Sequence, residues 1–221
     1  EDNSNQFSDR HFKSAEPWAY PQLDKIKDMH WRDNINPSYV EVSFSNACNF
    51  KCSYCAPPFS SKWMEEIEQH GAYPTSDKFN GLDHFKHSGR IPIPQNEHNP
   101  YVEAFWEWWP DLYKDLHTFR ITGGEPLLSK DTFKVLEYIQ ENWEANPNLS
   151  LAINTNMNVP QKLMDRFIEL CEDLSNNNKS GMSAVSWGPG TDGHRFDAYF
   201  NFNGIGPTTN IGGSAITYQT P

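Results

Sequence analysis

Short β-branched and aromatic runs alternate with amphipathic helical stretches through the middle of this chain, and a chain so built folds into a largely parallel sheet covered by helices. The runs are YVEVSF (Tyr39 to Phe44), HTFRIT (His117 to Thr122), LSLAINTN (Leu149 to Asn156) and MSAVSW (Met182 to Trp187). Between them, Phe133, Leu136, Ile139 and Trp143 recur at helical spacing from about Asp131 to Trp143. Leu163, Phe167, Leu170 and Leu174 do the same from Pro160 to Leu174. Right-handed crossovers bring the carboxyl ends of all four strands to one edge. That edge gathers the loop after Phe44, the turn Gly123 to Glu125, the segment Asn154 to Asn156, and Ser186.

The loop after the first run, SNACNFKCSYC, carries Cys48, Cys52 and Cys55; the other cysteine of the chain is Cys171. Three thiolates at this spacing hold three corners of an iron–sulfur cube and leave one iron for a small molecule. Zinc competes for the same thiolates, with His70, His84 or His87 as a fourth ligand closing a tetrahedron. Cys171 lies among apolar helical positions and reads as a small buried hydrophobe. Four cysteines so unevenly placed do not make a disulfide framework, and clustered thiols fit a reducing, cytoplasmic compartment.

With YVEVSF before it and FRITGGEPLL after it, the cysteine loop resembles the radical S-adenosylmethionine (SAM) enzymes, whose Cys-x3-Cys-x2-Cys loop and glycine-glycine-glutamate motif match here without insertion. The style of both motifs is similar to members with a SPASM or shortened "twitch" extension, and the overlap spans about residues 38 to 188. The resemblance implies an α/β fold, a partial TIM-like parallel β/α barrel truncated or divergent after the fourth strand. It implies a [4Fe-4S] cluster on Cys48, Cys52 and Cys55, SAM on its open iron, and reductive cleavage to a 5'-deoxyadenosyl radical that takes hydrogen from an unknown substrate, a peptide or protein among the options. SAM contacts carried over are Tyr54 near the adenine, Gly123 and Gly124 along the ligand and Glu125 at its ammonium group; Asn154, Asn156 and Ser186, by their place at the strand ends, are candidates to hold ribose, methionine or substrate, with helix capping as the alternative. A ferredoxin or flavodoxin would donate the electron. No cysteine follows Cys171, so an auxiliary cluster is not expected. The alternatives are a zinc-stabilised interaction module and a shortened cluster-binding scaffold without turnover.

At 221 residues the chain suits one substantial core. Residues 1–36 read as an extension with a short helix around Pro21 to Met29, residues 37–190 as the core, and residues 191–221 as a glycine-rich tail. An irregular insertion occupies residues 71 to 116, and Pro110 is expected to break YVEAFWEWWPDLYKDL into two short helices. Phe105, Trp108, Leu112 and Leu116 form the apolar stripe expected there. Ser60 or Ser61 caps a helix that Gly71 stops. With 18 Lys and Arg against 29 Asp and Glu, a net charge of −11 and no basic stripe, nucleic acid is not an expected partner. No run of apolar residues is long enough to span a bilayer and no secretory signal opens the chain, so a soluble protein is expected.

Overall fold

A computed structural model describes residues 14–16, 18–53, 55–76, 79–177, 184–188 and 195–201, the side chains of Pro21 and of residues 175–177, 184–188 and 195–201 excepted. Among the described residues, five strands form one unclosed sheet in the order β1-β2-β3-β5-β4. They are β1 (Tyr39–Ser43), β2 (Thr118–Thr122), β3 (Ser150–Thr155), β4 (Ala184–Gly188) and β5 (Arg195–Asn201). β1, β2 and β3 run parallel, in registers that set Ser43 beside Thr122 and Ile121 beside Ile153. The helices are α1 (Leu23–Ile26), α2 (Ser61–His70), α3 (Leu82–His87), α4 (Pro100–Asp115), α5 (Lys130–Asn142) and α6 (Gln161–Asn177). This is the partial, divergent β/α barrel that the sequence leads one to expect.

The period of two along β2, and less strictly along β3, where Ala152 on the other face is buried as well, makes this part of the sheet one-sided. Phe119, Ile121, Leu151 and Ile153 are completely buried and pack with Trp109, Leu112, Leu136, Ile139 and Phe167 of the covering helices. The alternate positions Glu41, Ser43, Arg120, Thr122 and Asn154 form an open polar face, half-buried or exposed. Ser129 caps α5 through the Asp131 amide, and Pro160 accepts the first bonds of α6 from Leu163 and Met164.

Three local readings change. α4 is a single helix across Pro110. An internal proline costs about 3 kcal/mol, but Trp109, Leu112 and Tyr113 are at most 1% exposed, and each buried side chain of that size contributes about 1.5–3 kcal/mol. The stripe runs through Trp109, not Trp108, which is 41% exposed and donates through Nε1 to Asn36 at 3.0 Å. The insertion holds α3, whose Leu82 and Phe85 bury against Ile67 of α2 in a second, smaller core.

The larger change lies beyond β3. β5, from the glycine-rich tail, pairs antiparallel with β3 and separates it from β4. Phe196, Ala198 and Phe200 alternate in β5 and stand in register with Thr155, Ile153 and Leu151. In the N-terminal part, a 3-10 turn at Tyr20–Gln22 leads into α1, and Lys25 and Asn36 bind Asp115 of α4 at 3.1 and 2.9 Å. Among the described residues no helix is long and apolar enough to cross a membrane.

Candidate cofactor site at the carboxyl edge

The cysteine loop leaves β1 and is clamped by the start of α2. Ser60 accepts from the Trp63 amide as the helix N-cap and donates to the Phe50 carbonyl at 2.8 Å. Ser61 Oγ accepts from the Cys48 amide at 3.1 Å and lies 3.2 Å from the Cys48 carbonyl. The Trp63 indole donates to the Cys52 carbonyl at 3.0 Å, and Lys51 pairs with Glu66. These contacts spend the polar groups of one helical turn on the backbone between the first and second cysteines.

Cys48, Cys52 and Cys55 are half-buried free thiols on this loop, and the Phe50 amide points at Cys48 Sγ, 3.4 Å away. Burial pushes the Cys55 thiol above its ordinary pKa, opposed by its hydrogen bond at Ala56 and reinforced by the negative charges of Cys48 and Cys52. That mutual repulsion is what a bound metal relieves, so the donor set suits a thiophilic centre. Among the described residues, no three His, Cys, Asp or Glu side chains converge into a finished ligand set. His84 stacks with Phe79 and Phe85, and His87 Nδ1 lies 2.6 Å from the Asp83 carbonyl.

The turn after β2 is pressed against the start of the same loop. Gly124 N–H donates to the Ser45 carbonyl at 3.1 Å and Glu125 N–H to the Ala47 carbonyl at 2.7 Å. Gly123 has φ +119°, and a Cβ there would lie 2.6 Å from the Ser45 carbonyl oxygen. At Gly124 it would lie 2.6 Å from the Asn46 carbonyl oxygen and closer still to that of Ala47. The glycine pair is thus required by the approach of the cysteine loop itself.

Glu125 is 2% exposed. Its Oε1 accepts from the Leu127 amide at 2.9 Å and from Thr155 Oγ1 at 2.5 Å, and its Oε2 from the Asn156 amide at 2.6 Å. Desolvation raises its pKa, and the three hydrogen bonds oppose the rise. The carboxylate therefore ties the end of β2 to the end of β3. Asn156 Nδ2 in turn donates to Asn49 Oδ1 at 3.0 Å, and Asn49 donates to the Asn158 carbonyl, which closes the circuit back to the cysteine loop.

Cys48, Cys52, Cys55, Gly123, Gly124, Glu125 and Asn156 thus form one bonded neighbourhood. Asn154 sits one residue inside β3 on the polar face, where its Oδ1 accepts from Arg120 at 3.4 Å. Ser186 keeps the expected row, in register with Asp197 of β5, which is itself in register with Asn154. With β5 interposed, however, Ser186 stands two strand spacings from Asn154, roughly 10 Å away. Tyr54 lies outside the described residues. Cys171 is 4% exposed in the core, and burial raises its thiol pKa, in keeping with a packing role. Asn49, Trp63 and Arg120 were not singled out by the sequence. Asn49 and Trp63 sit within and just after the cysteine motif, the signal that could have found them.

The sequence profile of the radical SAM superfamily matches residues 42–179, more than half of the chain. Among curated proteins, the GTP 3',8-cyclase of Sulfurimonas denitrificans is 26% identical over 131 residues, covering 58% of this chain and 31% of the relative. That of Desulforamulus reducens is 27% identical over 154 residues, covering 70% and 34%. That of Pasteurella multocida is 29% identical over 119 residues, covering 53% and 26%. The chain spans about a third of the length of the curated relatives it matches. No solved structure matches it at a significant level. A matched segment that contains the cysteine loop, the glycine-glycine-glutamate turn, the carboxyl end of β1 and all of β2 and β3, bonded together in space, assigns the family: the chain belongs to the radical SAM superfamily.

Proposed function

We propose that this chain holds a [4Fe-4S] cluster on Cys48, Cys52 and Cys55 and SAM beside it at the carboxyl edge of β1, β2 and β3. The observation that carries the reading is the pair of backbone hydrogen bonds from Gly124 and Glu125 to Ser45 and Ala47, which lock the two family motifs into one wall. When bound, cluster and SAM supply a one-electron cleavage that yields methionine and a 5'-deoxyadenosyl radical able to take hydrogen from a substrate. The chain's own task is to hold these groups in place. Ser60, Ser61 and Trp63 fix the loop, Glu125 fixes the ends of β2 and β3 through Thr155 and Asn156, and Asn49 joins the loop to β3. Glu125 Oε2 accepts from the Asn156 amide and retains a second acceptor position for a ligand ammonium. Asn154 lies on the polar face with Arg120, the face that would look onto SAM or substrate. A ferredoxin or flavodoxin would donate the electron.

Binding without turnover is the narrower reading, and this chain's geometry supports it more closely than it supports the full reaction. Beyond β3 the wall is continued by an antiparallel strand in place of the next parallel one. Anaerobic reconstitution separates the readings. Both require about four iron and four sulfide per chain. With a competent reductant and SAM, formation of 5'-deoxyadenosine supports the enzyme, and its absence from a cluster-loaded chain supports the scaffold. Stoichiometric zinc and no reconstitutable cluster would overturn both in favour of a zinc-stabilised interaction module.

A further inference from the structure

A cleft of about 780 Å³ runs between the outer margin of β1, the far side of the cysteine loop, the segment after α3 and the start of α4. Its position along β1 is unusual, because the consecutive residues Val42, Ser43 and Phe44, which belong to alternate faces of the sheet, all line it. Only the edge of a strand presents both faces at once. β1 is the margin of the sheet, and among the described residues no strand pairs with its outer side. Within the cleft the Val42 carbonyl faces β2, where Thr122 Oγ1 bonds it, so the alternation of a parallel strand leaves Ser43 to turn its backbone N–H and C=O outward, the arrangement that adds an extended peptide as a further strand.

The charge of the cleft is as specific as its shape. The chain carries 29 Asp and Glu, yet among the described residues none lines the cleft, and Arg90 is the charged side chain that does. Among the described residues Arg90 makes no ion pair. The remaining wall is largely apolar, with Ile91, Ile93 and Phe105 inside and the exposed rings of Phe59 and Tyr101 at 59% and 79% accessibility. Ala56, next to Cys55, also lines it, so an occupant would lie alongside the cysteine loop.

We propose that this cleft docks an extended apolar peptide bearing a carboxylate, its backbone paired with β1 and its carboxylate held by Arg90, as the substrate of the neighbouring centre. The substrate role rests on the cluster reading above; the docking does not. The carboxylate is either a chain terminus or an acidic side chain.

The test measures binding of three fluorescently labelled probes to the full chain by anisotropy: acetyl-Val-Phe-Val-Phe with a free carboxylate, the same peptide as its amide, and the amide extended by one glutamate. The first and third are expected to bind about tenfold tighter than the second, and whichever of the two binds tighter identifies the source of the carboxylate. Arg90→Gln is expected to erase the difference and Arg90→Lys to keep part of it, with melting curves unchanged because Arg90 is exposed. N-methylation of alternate amides is expected to abolish binding. Equal binding of acid and amide, a preference that survives Arg90→Gln, tolerance of N-methylation, or no binding at all would each overturn the proposal. Replacing Cys48, Cys52 and Cys55 together by alanine should leave peptide affinity unchanged. A chain that binds peptide but loads no cluster would thus refute the cluster reading and the substrate role, and a cluster-loaded chain that ignores the peptides would refute the docking site alone.

Discussion

Gly124→Ala is the most direct probe of the wall that joins the two motifs. The added Cβ would sit 2.6 Å from the Asn46 carbonyl oxygen and closer still to that of Ala47, where ordinary contact begins at 3.4 Å, so the cysteine loop must retreat by about 1 Å. The Ala47 carbonyl that the methyl strikes also accepts the Glu125 amide at 2.7 Å, and the Gly124 amide bonds Ser45 at 3.1 Å, so the retreat strains both bonds. Overpacking costs about 1–3 kcal/mol, and a lost hydrogen bond about 0.5–1.5 kcal/mol, which together come to about 3 kcal/mol. Gly89→Ala is the control, since Gly89 has φ +65° and nothing within 4 Å of a Cβ. It carries only the left-handed backbone penalty of about 1 kcal/mol. With a urea slope of about 2.5 kcal/mol/M for a chain of this length, the midpoints should fall by about 1.2 M and 0.4 M. Iron retained after anaerobic reconstitution should fall for Gly124→Ala alone. Midpoint loss at Gly124 no larger than at Gly89 would refute the claim that the glycine makes room for the loop.

Other perturbations test neighbouring parts of the site. Glu125→Ala leaves the Leu127 and Asn156 amides and the Thr155 hydroxyl without their acceptor, and should destabilise the chain by about 2–4 kcal/mol in urea unfolding. Because burial raises the folded-state pKa of Glu125, the native state holds its proton more tightly than the unfolded chain does. Its contribution is fully present below the unfolded value near 4.5 and is lost as pH rises through the raised folded value, so the wild-type minus Glu125→Gln stability difference should decline across that window. Ser61→Ala removes the bond to the Cys48 amide, and reconstituted clusters should lose iron to a chelator several-fold faster than wild type while the melting temperature drops by only a few degrees. Cys171 should resist alkylation in the native chain, and Cys171→Ala should keep full cluster content, because that thiol is buried in the core and its ionisation is suppressed.

Legibility in the sequence followed how local each signal was. The strand–helix alternation, the Ser60 cap, the Gly71 stop and the apolar stripe of α6 each depend on residues within a turn or two of one another, and each appears in the structure. Pro110 misled because its penalty is local while its compensation comes from burial of Trp109, Leu112 and Tyr113 against distant residues. β5 was missed because glycine-rich surroundings masked a period-two run, which pairs with the nearby β4 and also with β3, a partner more than 40 residues away in the chain. That partner cannot be seen in a local window.

By itself, the order of residues determined which chemistry this chain carries: three thiols on one loop, a glycine-glycine-glutamate turn after the next parallel strand, and a one-sided sheet beneath them. Only the tertiary structure decided what those residues do to one another. The glycines yield space to the cysteine loop, Glu125 spends its carboxylate as a strut between strand ends, Ser186 is displaced by an intervening strand, and among the described residues no strand covers the outer edge of β1. Spacing along a chain is a covalent fact, whereas steric demand, hydrogen-bond partnership and strand order arise only when segments far apart in sequence are brought together.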